Sequence, residues 1–245
     1  MLTRENKPET KANPMSDTCN IDRNETGAQE PEVSAFGPGP GKHVLFFGDP
    51  MCSWCWGFEP ELAQLAERAQ NQVQFHVVMG GLRPGTKETW DEAMRGYIRH
   101  HWEDVEAKTG QPFDYARFND ADFVYDTEPG CRAVITAREI VPDRALAYYE
   151  ALQRGFYAEN KDITKTDTLA DIAAQTGIDR DPFIALFSSQ EMRGKVAFDF
   201  KRTQAFGVQG FPSVLCAEDG QYAFLALGYR PYRDMQGDFE AWLDS

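Results

Sequence analysis

Positive charge is scarce in this chain. Lys plus Arg number 25 against 39 Asp plus Glu, giving a formal net charge of −14 over 245 residues. Phosphate backbones are bound by concentrated positive surface, so nucleic acid is excluded as the main partner, and docking on anionic membrane is disfavoured for the same reason. Long apolar runs are also missing. No stretch reaches the ~20 apolar residues that a membrane-spanning helix needs, and residues 1–40 contain no apolar core of the kind that marks a secretion signal. The expectation is a cytoplasmic protein with no membrane partner. Histidine is limited to four residues, and the adjacent His100-His101 lacks ligand spacing. A structural zinc site draws on two cysteine pairs, or on one pair plus two spaced histidines. Neither pattern occurs, so no metal is expected. The five cysteines give an odd number and no disulfide framework. The single close pair, Cys52 and Cys55, therefore carries the chemistry.

The polar segment 1–41 is rich in Glu, Asn, Thr, Gly and Pro and closes with Phe36-Gly37-Pro38-Gly39-Pro40-Gly41. It has too little apolar surface to bury and is expected to be a disordered tail, in which Cys19 is an incidental exposed thiol. The unbroken apolar run 43–48 reads as a buried strand ended by Gly48. Two cysteines follow, two residues apart, at the mouth of a helix whose Leu62, Leu65, Ala66 and Ala69 recur at helical spacing, with Pro60 expected to kink it. A second strand is expected at 73–79, which completes a βαβ unit with parallel strands.

Residues 86–189 show no strand signal and read as a helical insertion, with helices at 87–101, 129–141, 143–157, 168–177 and 181–188. A further helix at 192–206 leads back to two short apolar runs, 213–217 and 222–227. Glu218-Asp219-Gly220 lies between them, a strong hairpin signal. An amphipathic helix at 232–243 ends the pattern. The expected fold is α/β, a thioredoxin-like core (β-α-β … α-β-β-α) interrupted by an all-helical subdomain. Its segments are the tail 1–41, the first part of the core 42–85, the insertion 86–189 and the second part of the core 190–245.

A strand that delivers Cys52 to the start of a helix sets its sulfur against free N–H groups and the positive end of the helix dipole, which favours a thiolate. Cys55 then lies close enough to attack a mixed disulfide and release its product. Gly210-Phe211-Pro212-Ser213, just before the third strand, could be a plain tight turn. Beside a dithiol, a cis Phe211-Pro212 bond is the better reading, since cis bonds are essentially confined to X-Pro. Such a loop would offer the Phe211 backbone to a substrate chain as an added strand.

Four segments together resemble the DsbA-like branch of the thioredoxin superfamily. They are Asp49-Pro50-Met51-Cys52-Ser53-Trp54-Cys55-Trp56-Gly57-Phe58, Met79-Gly80-Gly81-Leu82-Arg83-Pro84-Gly85, Tyr125-Asp126-Thr127-Glu128-Pro129-Gly130-Cys131-Arg132-Ala133 and Gly207-Val208-Gln209-Gly210-Phe211-Pro212. Within that branch the resemblance is to the predicted protein-disulfide isomerases related to FrnE and to the 2-hydroxychromene-2-carboxylate isomerases. It implies Cys52 as nucleophile, Cys55 as resolving thiol and Pro212 as the cis-proline. The related isomerases and the kappa-class glutathione transferases typically carry serine at the Cys52 position; cysteine here keeps the dithiol. The implied activity is thiol–disulfide exchange with protein or peptide substrates. The dithiol needs no cofactor, and glutathione is a candidate co-substrate.

The expected substrate contacts are Gly210, Phe211, Pro212, Ser53, Trp54 and Trp56. Trp54, Trp56 and Phe58 either rim the cysteines or, for Trp56 and Phe58, face the core. Asp49 reads as a turn-capping residue or a proton acceptor near Cys55. Cys131 reads as a buried thiol or one facing the site, and Cys216 as core. Two rivals stand beside exchange: a glutathione-dependent small-molecule isomerase or transferase, and a client-binding chaperone. Monomer and homodimer are equally compatible with the sequence.

Overall fold

The computed structural model describes residues 36–245. Cys19 and most of the expected tail lie outside the described residues. Strand β1 (Lys42–Gly48) is buried at every position after Lys42, as its unbroken apolar run requires. Its side chains alternate between the two faces of the sheet. Val44 and Phe46 enter the main core, while Leu45 and Phe47 enter a smaller cluster with Val78, Phe206, Val208 and Leu215 on the other face.

Helix α1 (Ser53–Ala69) follows and runs without interruption through Pro60 to β2 (Gln74–Met79). β2 pairs with β1 in parallel, Gly48 opposite Met79, which closes the expected βαβ unit. Between β2 and β3 lie α2 (Glu92–Thr109), α3 (Glu128–Ile140), α4 (Ala145–Tyr157), α5 (Thr166–Gln175), α6 (Arg180–Phe187) and α7 (Gln190–Ala205). β3 (Ser213–Glu218) then runs antiparallel to β1, and β4 (Gln221–Leu227) antiparallel to β3. The sheet order is β2-β1-β3-β4, and α8 (Tyr232–Asp244) packs against α1 and β4. The Asp219-Gly220 turn has positive φ at both residues, 48° and 84°, the conformation that two-residue hairpins favour.

The element that departs most from its expected span is α2. It starts at Glu92, because the Asp91 carboxylate accepts the Met94 N–H, and it continues past residue 101 to Gly110, whose left-handed φ of 75° ends it. Trp102 and Val105 extend its buried stripe, and Trp102 meets Phe113, Phe118, Phe156 and Tyr157. The expected helix at 143–157 divides into a short 3₁₀ turn, Pro142–Arg144, and α4. The segment read as free of strand contains one isolated antiparallel bridge, Thr89 to Val124.

At the end of the sheet away from the cysteines, His43 Nδ1 lies 3.1 Å from His76 Nε2, and His43 Nε2 lies 2.9 Å from the Pro40 carbonyl. The carbonyl can only accept, so His43 Nε2 carries a proton, and in the neutral pair His76 donates to His43. Burial, followed by the charges of Arg202, His43 and Arg138, lowers His76 to about 4 from 6.5. The folded state therefore holds His76 neutral while the unfolded chain protonates it. This contribution to stability is full above about pH 6.5 and is lost as pH falls toward 4. The expected loss is on the order of 2 kcal/mol by pH 4, most of it absent in His76→Gln. Urea midpoints at pH 7 and pH 4.5 check this; an equal fall in both proteins would contradict it.

Candidate active site

Cys52 occupies the cap position of α1 in extended conformation (φ −91°, ψ 115°). Its N–H donates to the Asp49 carbonyl at 3.0 Å, which closes the turn, and its own carbonyl accepts from Cys55 and Trp56 at 3.0 and 3.1 Å, which opens the helix. Cys52 keeps 6% of its surface exposed and Cys55 none. No disulfide bond joins them in this structure. The Cys55 thiol is pushed well above its ordinary value, first by burial and then by the neighbouring Cys52.

Opposite Cys52 is the loop before β3. The Phe211–Pro212 bond is cis, and the Cys52 thiol points at the Phe211 carbonyl with Sγ 3.6 Å from its oxygen. The loop is pinned on both sides: Ser213 Oγ donates to the Gly210 carbonyl at 2.8 Å, and the Gly228 N–H donates to the Pro212 carbonyl at 2.7 Å. The Phe211 ring fits because residue 80 is glycine. A Cβ there would collide with the end of the ring. Gly80 is itself tied to β1 through its N–H to the Gly48 carbonyl at 2.8 Å.

Asp49 holds the turn from inside. It is fully buried, and Oδ1 accepts the Met51 N–H at 2.8 Å. Oδ2 accepts the Leu82 N–H at 2.7 Å and faces the Cys131 thiol at 3.3 Å. Burial raises the Asp49 carboxyl above the usual range, and the two backbone donors oppose that rise. One carboxyl thus joins the β1–α1 turn, the loop after β2 and the start of α3, which is the turn-capping role. Tyr125 strengthens the same turn by donating to the Met51 carbonyl. Cys131 is buried, its thiol raised by that burial and by Asp49, and Cys216 in β3 is pushed up to about 12 by burial.

Gly210 is exposed, Ser53, Trp54 and Phe211 are half-buried, and Pro212 is buried beneath the loop. Trp56 requires a correction as a substrate contact. It is 1% exposed, its indole N–H donates to the Pro112 carbonyl at 3.1 Å, and it stacks on Tyr157. The reason is rotational: residues two apart on a helix point roughly 200° apart, so Trp54 and Trp56 cannot share a face. Phe58 is buried as well, and both Trp54 and Phe58 meet Tyr229. Leu82, in the Met79–Gly85 segment, is 43% exposed on the loop that Asp49 holds. Among the described residues, no group of three or more His, Cys, Asp or Glu is gathered to hold a metal.

A four-stranded sheet, a dithiol at a helix start and a cis-proline loop define a thioredoxin-like protein. Residues 43–239 match the DSBA-like thioredoxin domain, and the chain belongs to that family. It is similar in structure to a Nitrosomonas europaea protein proposed to be a protein disulfide isomerase: 30% identity, TM-score 0.78, covering 83% of this chain and 98% of the other. It is also similar to the cytosolic disulfide reductase DsbM from Pseudomonas aeruginosa, at 25% identity, TM-score 0.69 and coverage of 82% and 98%, a protein also solved with glutathione. Among curated proteins it matches the ClpXP adapter protein SpxH of Halalkalibacterium halodurans, 21% identical over 199 residues. That match takes in 77% of this chain and 63% of SpxH, so the chain spans less than two thirds of that relative. The chain has a DsbA-like thiol–disulfide oxidoreductase fold.

Asp49→Leu removes the acceptor of the buried Met51 N–H, at about 1–3 kcal/mol, and of the part-buried Leu82 N–H, at less. Urea unfolding should show a loss on the order of 2–5 kcal/mol. Wild-type stability in that variant would mean that Asp49 does not hold the turn.

Proposed function

We propose that this protein is a cytoplasmic thiol–disulfide oxidoreductase and isomerase that works through the Cys52–Cys55 dithiol on protein or peptide substrates. The observation that carries the proposal is the unequal exposure of the two sulfurs beside the cis-proline loop. An incoming sulfur can reach Cys52 but not Cys55. In the oxidising direction a substrate thiolate attacks Cys52 of the Cys52–Cys55 disulfide, and Cys55 leaves. A second substrate thiolate then attacks the substrate sulfur of the mixed disulfide and frees Cys52. In the reducing direction Cys52 attacks a substrate disulfide and Cys55 resolves the product. Isomerisation is the same first step followed by attack from another substrate thiol.

Gly210 and Phe211 are the proposed backbone docking edge for an extended substrate, with Pro212 fixing their conformation. Ser53 and Trp54 on α1, with Leu82 across from them, are the proposed lining of the cleft. Glutathione is the proposed reductant. Its thiol is small enough for a narrow opening, and the relative DsbM has been solved with it. The cytoplasm is the proposed compartment, and no described helix is long and apolar enough to cross a membrane.

The test is trapping. Cys55→Ala should accumulate a mixed disulfide between Cys52 and a cysteine-containing peptide, visible by mass spectrometry, while Cys52→Ser should lose exchange activity by at least a hundredfold. Retained activity in Cys52→Ser would sink the proposal. Turnover retained in Cys55→Ala with a saturable glutathione site would favour the glutathione-dependent isomerase instead.

A further inference from the structure

Among the described residues the sheet order makes β2 an outermost strand, so alternate residues turn backbone N–H and C=O groups away from any neighbouring strand. At its end those groups are met by side chains instead. The Val77 carbonyl accepts Arg138 Nη1 at 2.9 Å, and the Met79 N–H donates to Asp199 Oδ2 at 3.0 Å. The Met79 carbonyl accepts the Thr203 hydroxyl at 3.1 Å. Arg138 comes from α3, Asp199 and Thr203 from α7. Arg138 closes on Asp199 through two further bonds at 3.0 and 3.2 Å, so the carboxylate that holds Met79 is itself held. Asp199 and Thr203 are both buried. The covering thus falls on the residue that leads into Gly80.

Thr203 makes a second bond, one that covering a strand edge does not require. Its own carbonyl accepts the Val208 N–H at 3.2 Å, where the chain leaves α7 for the Phe211–Pro212 loop. One residue is therefore tied to both sides of the proposed docking edge, through its hydroxyl to the end of β2 and through its backbone to the loop. The two sides meet one residue further on. The Phe211 ring lies on Gly80, where a Cβ would stand 2.0 Å from it. The ring of Phe200, also on α7, lies against Gly81 in the same way, 2.8 Å from the place of a Cβ. Contacts this close transmit displacement, because a packed interior has little room to absorb it. A shift of Met79 passes through Gly80 to the Phe211 ring, and from there to the Phe211 carbonyl that faces Cys52 Sγ at 3.6 Å.

We infer that Thr203 is a positioning residue for peptide docking: its hydroxyl fixes the end of β2 under the Phe211 ring and so sets the Phe211 backbone for an extended substrate. The inference rests on the proposed docking edge at Gly210 and Phe211. Thr203 takes no part in making or breaking bonds to sulfur. Cys52 is set by its own turn, through its N–H to the Asp49 carbonyl and its place at the cap of α1. Its reactivity as a thiol therefore does not depend on Thr203. The expected signature is a split, with weaker use of peptides and unaltered chemistry at Cys52.

The experiment measures Cys52-dependent reduction of a disulfide-bonded peptide by the full chain, with dithiothreitol as the reductant. Beside it runs the rate of Cys52 alkylation by iodoacetamide, a reagent too small to use a backbone edge. Thr203→Val keeps the shape of the side chain and removes the hydroxyl, while Thr203→Ser keeps the hydroxyl. Thr203→Val should raise KM for the peptide on the order of tenfold, with kcat and the alkylation rate within about twofold of wild type. Thr203→Ser should keep the wild-type KM. An unchanged KM in Thr203→Val, or an equal rise in Thr203→Ser, would overturn the inference and leave the dithiol reading intact. A fall in kcat and alkylation that matches the rise in KM would overturn it too, since general loss of structure gives that pattern. Should Thr203→Val not fold, Thr203→Ala decides on the same criteria, because it removes the hydroxyl and leaves room for water at the Met79 carbonyl. Peptide turnover that survives Cys52→Ser would overturn the dithiol reading itself, whatever Thr203 does.

Discussion

The buried carboxyl of Asp49 is the interaction on which the arrangement at the dithiol depends. It sits at the end of β1 with no exposure, and it gathers the Met51 N–H of its own turn with two groups distant in sequence, the Leu82 N–H and the Cys131 thiol. A buried polar group without partners costs several kcal/mol, so these contacts are obligatory and the turn between Asp49 and Cys52 has little freedom. From that turn the rest follows. Cys52 is set at the cap of α1, α1 places Cys55 one turn deeper, and the loop after β2 is drawn close enough for Gly80 to receive the Phe211 ring.

The two cysteines differ by burial rather than by residue type. Cys52 keeps a little exposure and turns its thiol to the cis-proline loop, while Cys55, one turn into α1, has none. That burial keeps solvent from the Cys55 sulfur, and it also makes the anionic form of that sulfur expensive. The large helical segment between β2 and β3 contributes to the site directly, through Tyr149, Cys131 and the Tyr125 hydroxyl.

Much of this is legible in the sequence because it is written locally. An unbroken apolar run marks β1, the Asp-Gly pair marks the hairpin, and the helical spacing of Leu62 and Leu65 marks α1. The DsbA-like family is legible in four motifs whose spacing spans the chain. Where sequence and structure part, the causes are physical. The apolar pattern alone starts α2 several residues before its Asp91 cap and stops it short of Trp102, whose burial depends on rings brought in from Phe113 to Tyr157. Trp56 reads as a rim residue by its nearness to the cysteines, although its two-residue offset from Trp54 puts the pair on opposite faces. Tyr149 carries no sequence signal. A tyrosine on an amphipathic helix looks like core, and only the fold brings its hydroxyl to the Asp49 carbonyl.

The measurement that bears most directly on the central claim is a redox titration of the protein in glutathione buffers, followed by tryptophan fluorescence, since Trp54 lies between the two cysteines and Trp56 directly after them. The account predicts a single reversible two-electron transition that disappears in Cys52→Ser. Its absence in the wild-type protein would contradict the dithiol account and leave the cysteine pair without a redox role.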